Sequence, residues 1–465
     1  MELSPWAAFV AAVLVVITAL FLKTIIQSRG RRTYNLPPRP RPWPLSRRYG
    51  PLVQLWFGSM PVVIGSSAEM AKFFLKTHDA AFADRPRFAV GKHTTYDYSD
   101  ILWAPYGAYW RQARRICTAE LFSAKWVESL EYIRDEEVRA LLRDLRGASG
   151  SVVRLKGHLQ MAALGVISRM VLGKKYVEAE DAAAEGGGMP PAATPAEFRE
   201  LIDEFFALNS ASIVRRTKKM SRQFGRFLER VLDEHNERRR LSRDNVKALT
   251  QDLIIGGTDT SWMTIEWAVS ELLKNPELLT KATTELDRVV GRDRLVRESD
   301  LPHLPYIDCI IKETLRAHPA APMLVPRLAR EDVSVGGYDI PAGTTALVNA
   351  WAIGRDPALW DAAEEFRPER FAGSKAAAAA EEPDFKFKML PFGLDRRMCP
   401  AYTLGLREVT LSLANLLHGF ACRLSDGMTE ENLCMEETYQ LTLPRKVLLE
   451  AIVEPKLPAM LYAGA

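Results

Sequence analysis

The sequence predicts a mostly helical protein with a minor β part, preceded by one amino-terminal membrane-spanning helix. Three observations carry this: an uncharged apolar run near the amino terminus, helical periodicity through most of the chain, and two short strand-rich patches. With 465 residues, 47% hydrophobic and 26% charged, the chain has apolar material for a large core. Its formal net charge of +4, from 62 basic and 58 acidic residues, is close to balance. Nothing resembles the concentrated basic face of a nucleic-acid binder, so nucleic acid is not an expected partner.

Residues 6–22, WAAFVAAVLVVITALFL, hold no charge. As a helix they span about 26 Å, close to the ~30 Å of a bilayer core. Lys23 can snorkel, which lets Ile25 and Ile26 extend the span. Arg29, Arg31, Arg32, Arg39 and Arg41 follow the run and Glu2 precedes it, so the bulk of the chain is expected to face the cytosol. A cleaved signal peptide is the rival reading, but its basic residues would precede the apolar run. Residues 36–44 then hold five prolines in nine, which forbids a helix and favours a stiff, extended spacer. The expected division is an anchor over 1–28, a basic, proline-rich hinge over 29–44 and a globular part over 45–465.

Within the globular part, residues 51–66 read as two strands around a Gly58-Ser59 turn. A second strand-rich patch covers 333–349, with Pro341 and Gly343 supplying a turn. Met220, Phe224, Phe227, Leu228, Val231 and Leu232 mark one face of an amphipathic helix. Residues 246–274 and 404–417 are apolar helical runs, whereas 182–195 and 376–380 are low-complexity surface loops. The cysteines at 117, 309, 399, 422 and 434 are odd in number and show no C-x-x-C spacing, which suits a reducing compartment. Four of them are expected to be small core hydrophobes.

Four fragments could carry chemistry. Pro391-Phe-Gly-Leu-Asp-Arg-Arg-Met-Cys-Pro-Ala-Tyr402 leads into a helix, whose dipole and free N–H groups would stabilise a Cys399 thiolate as a soft metal ligand. A buried cysteine beside a basic loop is the plainer alternative. Asp252-Leu-Ile-Ile-Gly-Gly-Thr-Asp-Thr-Ser261 puts two glycines, each costing about 1 kcal/mol, inside a helix. Asp259 and Thr260 follow, an acid and an alcohol able to hand protons to a buried reacting atom. Alternatively, Thr260 simply bonds back to the Gly256 carbonyl of a kinked core helix. Glu313 and Arg316 stand three apart on one helix face, with Arg370 downstream as a third member. Trp110 and Arg114, one turn apart, offer two donors to a carboxylate.

Together and in this order, GGTDTS, KETLR, FRPERF and PFGxxRRMCP resemble the cytochrome P450 family, over essentially the whole chain after the anchor. The resemblance is strongest to plant microsomal members such as the flavonoid 3′-hydroxylases. It implies the P450 fold for residues 45–465 as a haem-thiolate catalytic domain. It also implies haem b as cofactor, with Cys399 as the axial ligand that favours O–O cleavage. By the same resemblance Asp259 and Thr260 deliver protons, and Glu313, Arg316 and Arg370 form a buried ion network. Trp110, Arg114, Arg327 and Arg397 would bind the haem propionates, with Phe392 beside the cofactor. The implied pocket draws on residues 88–103, Ile255, residues 321–324, Leu441 and Thr442.

The implied reaction is insertion of one oxygen atom from O2 into an apolar or phenolic plant metabolite. Electrons come from NADPH through a separate reductase at the endoplasmic reticulum membrane, in keeping with the lack of a G-x-G-x-x-G phosphate loop. Two departures qualify this picture. Asp395 and Ala401 stand where the family has glycine, and a carboxylate left unpaired at 395 would oppose the sulfur's negative charge. The chain also looks short near 44–45, 209–215 and 240–246. These features leave a catalytically impaired relative as one alternative, and a reductase-independent haem-thiolate isomerase as another.

Overall fold

A tight turn at Gly58, with φ of +62°, joins strands β1 (Leu52–Phe57) and β2 (Met60–Gly65) into an antiparallel hairpin, as expected. Seven further strands follow among the described residues. They are β3 (Val152–Arg154), β4 (Arg327–Leu328), β5 (Val333–Val335), β6 (Tyr338–Ile340), β7 (Thr345–Val348), β8 (Phe420–Leu424) and β9 (Glu450–Pro455). The larger sheet has the order β1-β2-β7-β4, in which β2 and β7 run parallel. A second sheet has the order β3-β9-β8, and β5 and β6 form a separate hairpin. The expected turn before β7 is present, with Gly343 at φ +83°.

These observations come from a computed structural model that describes residues 50–173, 175, 219, 221–229, 242–373 and 384–463. The expected anchor and hinge, the 182–195 and 376–380 loops and the short stretch near 209–215 lie outside those residues. Among the described residues no helix is long and apolar enough to cross a membrane. Residues 221–229 are helical, and Phe224, Phe227 and Leu228 are buried there as the periodicity predicts.

Helices dominate the rest. They include α1 (Ala108–Ile116), α2 (Glu131–Gly147), α3 (Leu155–Leu172), α4 (Arg243–Lys274), α5 (Pro276–Val289), α6 (Pro305–Ala317) and α7 (Tyr402–Gly419). Helix α4 has 32 residues and is therefore about 48 Å long. Ser242 caps it by accepting from the Asn245 N–H. It is buried on nearly every face along its second half, where Trp262, Ile265, Trp267, Val269 and Leu272 enter the main core with residues of α2, α5, α6 and α7. An all-round apolar helix of this kind runs through the centre of a protein and does not lie on its surface.

The two glycines of α4 have separate reasons. A Cβ at Gly257 would lie 2.9 Å from Ile167 of α3, so glycine there lets the two helices close together. A Cβ at Gly256 would meet nothing within 4 Å, and this residue borders a cavity. Cys117 and Cys309 are buried, Cys422 and Cys434 partly so, and no described cysteine is paired in a disulfide.

Candidate active site

Beside Gly256 lies a cavity of about 320 Å³, walled by α4 on one side and by the 391–405 segment on the other. Cys399, Thr260, Phe392, Trp110, Arg114, Arg327 and Arg397 all border it. Residues far apart in the chain thus meet around one space.

The cysteine loop is shaped by its backbone. Gly393 and Asp395 both take left-handed conformations, at φ +65° and +55°, and the Cys399 N–H donates to the Phe392 carbonyl at 2.9 Å. Aspartate tolerates this region better than most residues, which explains how it occupies a position suited to glycine. Its carboxylate is not left unpaired as feared: Asp395 Oδ1 accepts from Lys76 Nζ at 3.3 Å. Three residues after Cys399, α7 begins, with Ala401 as its N-cap residue. Burial pushes the Cys399 thiol up, while the Ala401 N–H and the Arg114 guanidinium pull it down.

Asp79 and Asp395 act on Arg327, and Asp84 and Asp100 on Arg397, but burial outweighs them in this wall. Arg397 donates to the carbonyls of Ala83, Ile101 and Ala104, with its guanidinium 4.4 Å from the Trp110 ring centroid. Arg327 donates to the Leu394 carbonyl at 3.3 Å, but its buried Nη1 has no hydrogen-bond partner among the described residues. Burial lowers both, to about 10, and the two repel each other. A buried guanidinium without a full set of acceptors is costly, so this wall suits a ligand bearing carboxylates. Trp110 differs from expectation. Its Nε1 donates to the Ile101 carbonyl at 2.9 Å, because the 100–104 loop folds across α1 and brings that oxygen within reach.

On the α4 side, Thr260 Oγ1 donates to the Gly256 carbonyl at 2.8 Å, the plainer of the two arrangements foreseen. Asp259 does not border the cavity. Its carboxylate accepts from Trp262 Nε1 at 3.0 Å and from Thr442 Oγ1 at 3.1 Å. The two residues are neighbours in sequence but face different ways around the helix.

Away from the cavity, Glu313 sits at the centre of the expected ion network. It accepts from Arg316 at 2.7 and 2.8 Å, from Arg370 Nε at 2.9 Å and from the Arg367 N–H at 2.8 Å. Arg316 also donates to the Gly354 and Ala363 carbonyls. All three expected members are brought together.

Several cavity residues were not foreseen. Arg85 is buried and donates to the carbonyls of Leu102, Val325 and Pro326. Asp252 accepts the N–H groups of Ile101 and Leu102 and hydrogen-bonds Asp100; burial raises both carboxyls, Asp100 to about 7. Glu408 of α7 faces Ser261 at 3.4 Å, and burial pushes it up to about 8. The i, i+4 stripe Asp252, Gly256, Thr260, Thr264 could have flagged Asp252, since all four border the cavity. Of the expected pocket stretch 88–103, Ile101 and Leu102 border the cavity, whereas Phe88 packs edge-on against Trp103. Ile255, Ala321, Leu324, Leu441 and Thr442 line it as expected.

Comparison with known proteins gives a consistent picture. The sequence model described as Cytochrome P450 matches residues 37–186 and 192–449. The chain is 42% identical to the trimethyltridecatetraene synthase of Zea mays, covering 98% of this chain and 95% of that one. That alignment runs over 538 positions against a chain of 465 residues, so the relative carries segments this one lacks. The flavonoid 3′-monooxygenase of Petunia hybrida is 37% identical, covering 97% and 98%. Among solved structures, a zebra fish cytochrome P450 with abiraterone superposes at a TM-score of 0.75, with 26% identity over 88% of this chain and 97% of that one.

Proposed function

This chain belongs to the cytochrome P450 family, and from that premise we propose that it is a haem-thiolate monooxygenase acting on an apolar plant metabolite. Bound haem supplies the dioxygen chemistry, in which one oxygen atom enters a C–H bond of the substrate and the other leaves as water. Cys399 would hold the iron through its sulfur, whose negative charge the Ala401 N–H favours. Arg114, Arg327 and Arg397 would hold the propionates, with Trp110 fixing the loop beside them. Phe392 packs beside the cofactor, and Asp259 and Thr260 supply protons. Glu313, Arg316 and Arg370 keep the surrounding segments in place. The observation that carries this reading is the meeting of Cys399, Thr260 and the buried arginines around one cavity.

The cavity's hydroxyls bear on the substrate. Thr260, Ser261 and Thr264 donate to the carbonyls of Gly256, Gly257 and Thr260, and Thr442 donates to Asp259. With those donors engaged, a substrate hydroxyl finds little to read it, which favours an apolar molecule over a phenolic one. The 42% identical maize relative is named for a branched unsaturated hydrocarbon. The proposal extends to electrons from NADPH through a separate reductase, and to a single span over residues 6–22 at the endoplasmic reticulum membrane with the catalytic domain cytosolic. The uncharged run and the arginines after it support that span.

The test is the absorption spectrum of the reduced, carbon-monoxide-treated protein. A strongly red-shifted Soret band is expected, together with its loss in Cys399→Ser. Protein that binds no haem, or whose Soret band is unchanged in that variant, overturns the reading. Spectral titration should then show an acyclic branched polyene hydrocarbon binding more tightly than a flavanone; the reverse order removes the apolar assignment.

A further inference from the structure

Asp259 is 5% exposed and lies off the cavity, so a proton it releases needs a carrier to reach the space beside Thr260. Two of its hydrogen-bond partners differ in kind. Trp262 Nε1 donates to Oδ1 at 3.0 Å, and an indole N–H is a donor only, unable to accept a proton. Thr442 Oγ1 donates to Oδ2 at 3.1 Å, and a hydroxyl both donates and accepts. Thr442 is itself buried and borders the cavity.

The loop carrying Thr442 is held in register with α4 at a second point. Trp267 Nε1 donates to the carbonyl of Leu443 at 2.8 Å, two helical turns beyond Asp259. The Gln440 N–H donates to the Thr442 carbonyl at 3.2 Å, which closes the turn. The hydroxyl is therefore positioned by the backbone on both sides of it. Thr260 gives its hydrogen to the Gly256 carbonyl, which does not exchange protons, whereas Thr442 gives its hydrogen to a carboxylate, which does.

We infer that Thr442 is a relay residue that carries protons from Asp259 into the cavity. The transfer balances on one hydroxyl. Protonated Asp259 gives its proton to a lone pair of Thr442 Oγ1, and Thr442 releases its own proton to an acceptor in the cavity. Asp259 is left as a carboxylate, and Thr442 returns to a neutral hydroxyl. This rests on the reading above that Asp259 supplies protons, and it adds the route.

The experiment uses the full-length holoenzyme with NADPH, a plant reductase and ethoxycoumarin, a neutral aromatic ether, as probe. Thr442→Val keeps the shape and removes the hydroxyl, whereas Thr442→Ser restores it. Peroxide released per product formed should rise by about tenfold in Thr442→Val and in Asp259→Asn, and return toward the parent value in Thr442→Ser. The solvent deuterium isotope effect on product formation should change in the valine variant and recover in the serine variant. A readout independent of turnover is the infrared carboxyl band that vanishes in Asp259→Asn; it should shift in Thr442→Val and return in Thr442→Ser. Should the valine variant retain no haem, Thr442→Ala gives the same comparison. If Asp259→Asn raises peroxide and Thr442→Val does not, the relay is overturned while the role of Asp259 stands. If Asp259→Asn changes nothing, the role of Asp259 fails and the relay falls with it.

Discussion

Glu313 and Arg316 are joined by two parallel hydrogen bonds, Nε to Oε2 at 2.7 Å and Nη2 to Oε1 at 2.8 Å, with both side chains fully buried. Such a pair carries a large penalty when one partner is removed, because the other charge is stranded in the interior. Glu313→Ala would leave Arg316 and Arg370 facing each other without an acid. We expect a loss of about 3–5 kcal/mol in urea unfolding. Arg370→Ala should cost less, since Glu313 keeps its bidentate partner. Equal losses in the two variants would show that Arg316 alone does not satisfy Glu313 once Arg370 is gone.

A second prediction concerns cofactor retention. Arg327 is buried, and its Nη1 finds no acceptor among the described residues. Arg327→Leu should release haem to an apomyoglobin trap faster than the parent, by about tenfold, while helix content by circular dichroism stays unchanged. Release at the parent rate would remove Arg327 from the cofactor wall.

The mainly helical fold with its minor sheet and the hairpin over residues 51–66 were legible because periodicity, alternation and turn glycines are local signals. So were the Glu313, Arg316 and Arg370 network and the site of Cys399, through motifs whose residues lie close in the chain. What the sequence hid was direction. Asp259 and Thr260 are adjacent, yet 100° per residue turns them to different sides of α4, and only packing decides which side is cavity. Arg85 was illegible for another reason. Its three carbonyl partners come from residues 102, 325 and 326, and no spacing in one dimension announces that meeting. Pairing of Asp395 with Lys76 was hidden in the same way.

Stability should depend on pH through Glu408. Burial pushes this carboxyl from 4.5 to about 8, against the pull of Arg134 and Ser261. The folded protein therefore holds the proton more tightly than the unfolded chain. The stability this contributes is fully present below pH 4.5 and is lost as pH rises through about 8. Glu408→Gln stays neutral and escapes that loss. The urea midpoint of the variant should accordingly gain on the parent between about pH 4.5 and about pH 8 and level off above that. A gap between the two proteins that stays constant over this window would mean that Glu408 does not titrate there.

The adjacent glycines of α4 should respond in opposite directions to one substitution. Gly256→Ala adds a methyl into open space beside the cavity, and alanine favours a helix interior by about 1 kcal/mol over glycine. That variant should be more stable than the parent, with altered substrate binding because the methyl enters the cavity wall. Gly257→Ala brings its methyl within 2.9 Å of Ile167, a side chain only 2% exposed with little room to withdraw. Overpacking of that kind costs about 1–3 kcal/mol, which outweighs the gain in helix propensity. Ile167→Val in the Gly257→Ala background should recover part of the loss, since it shortens the side chain that is struck. Thermal unfolding of the four proteins decides the matter: a stabilised Gly257→Ala would mean that α3 and α4 do not meet at this glycine.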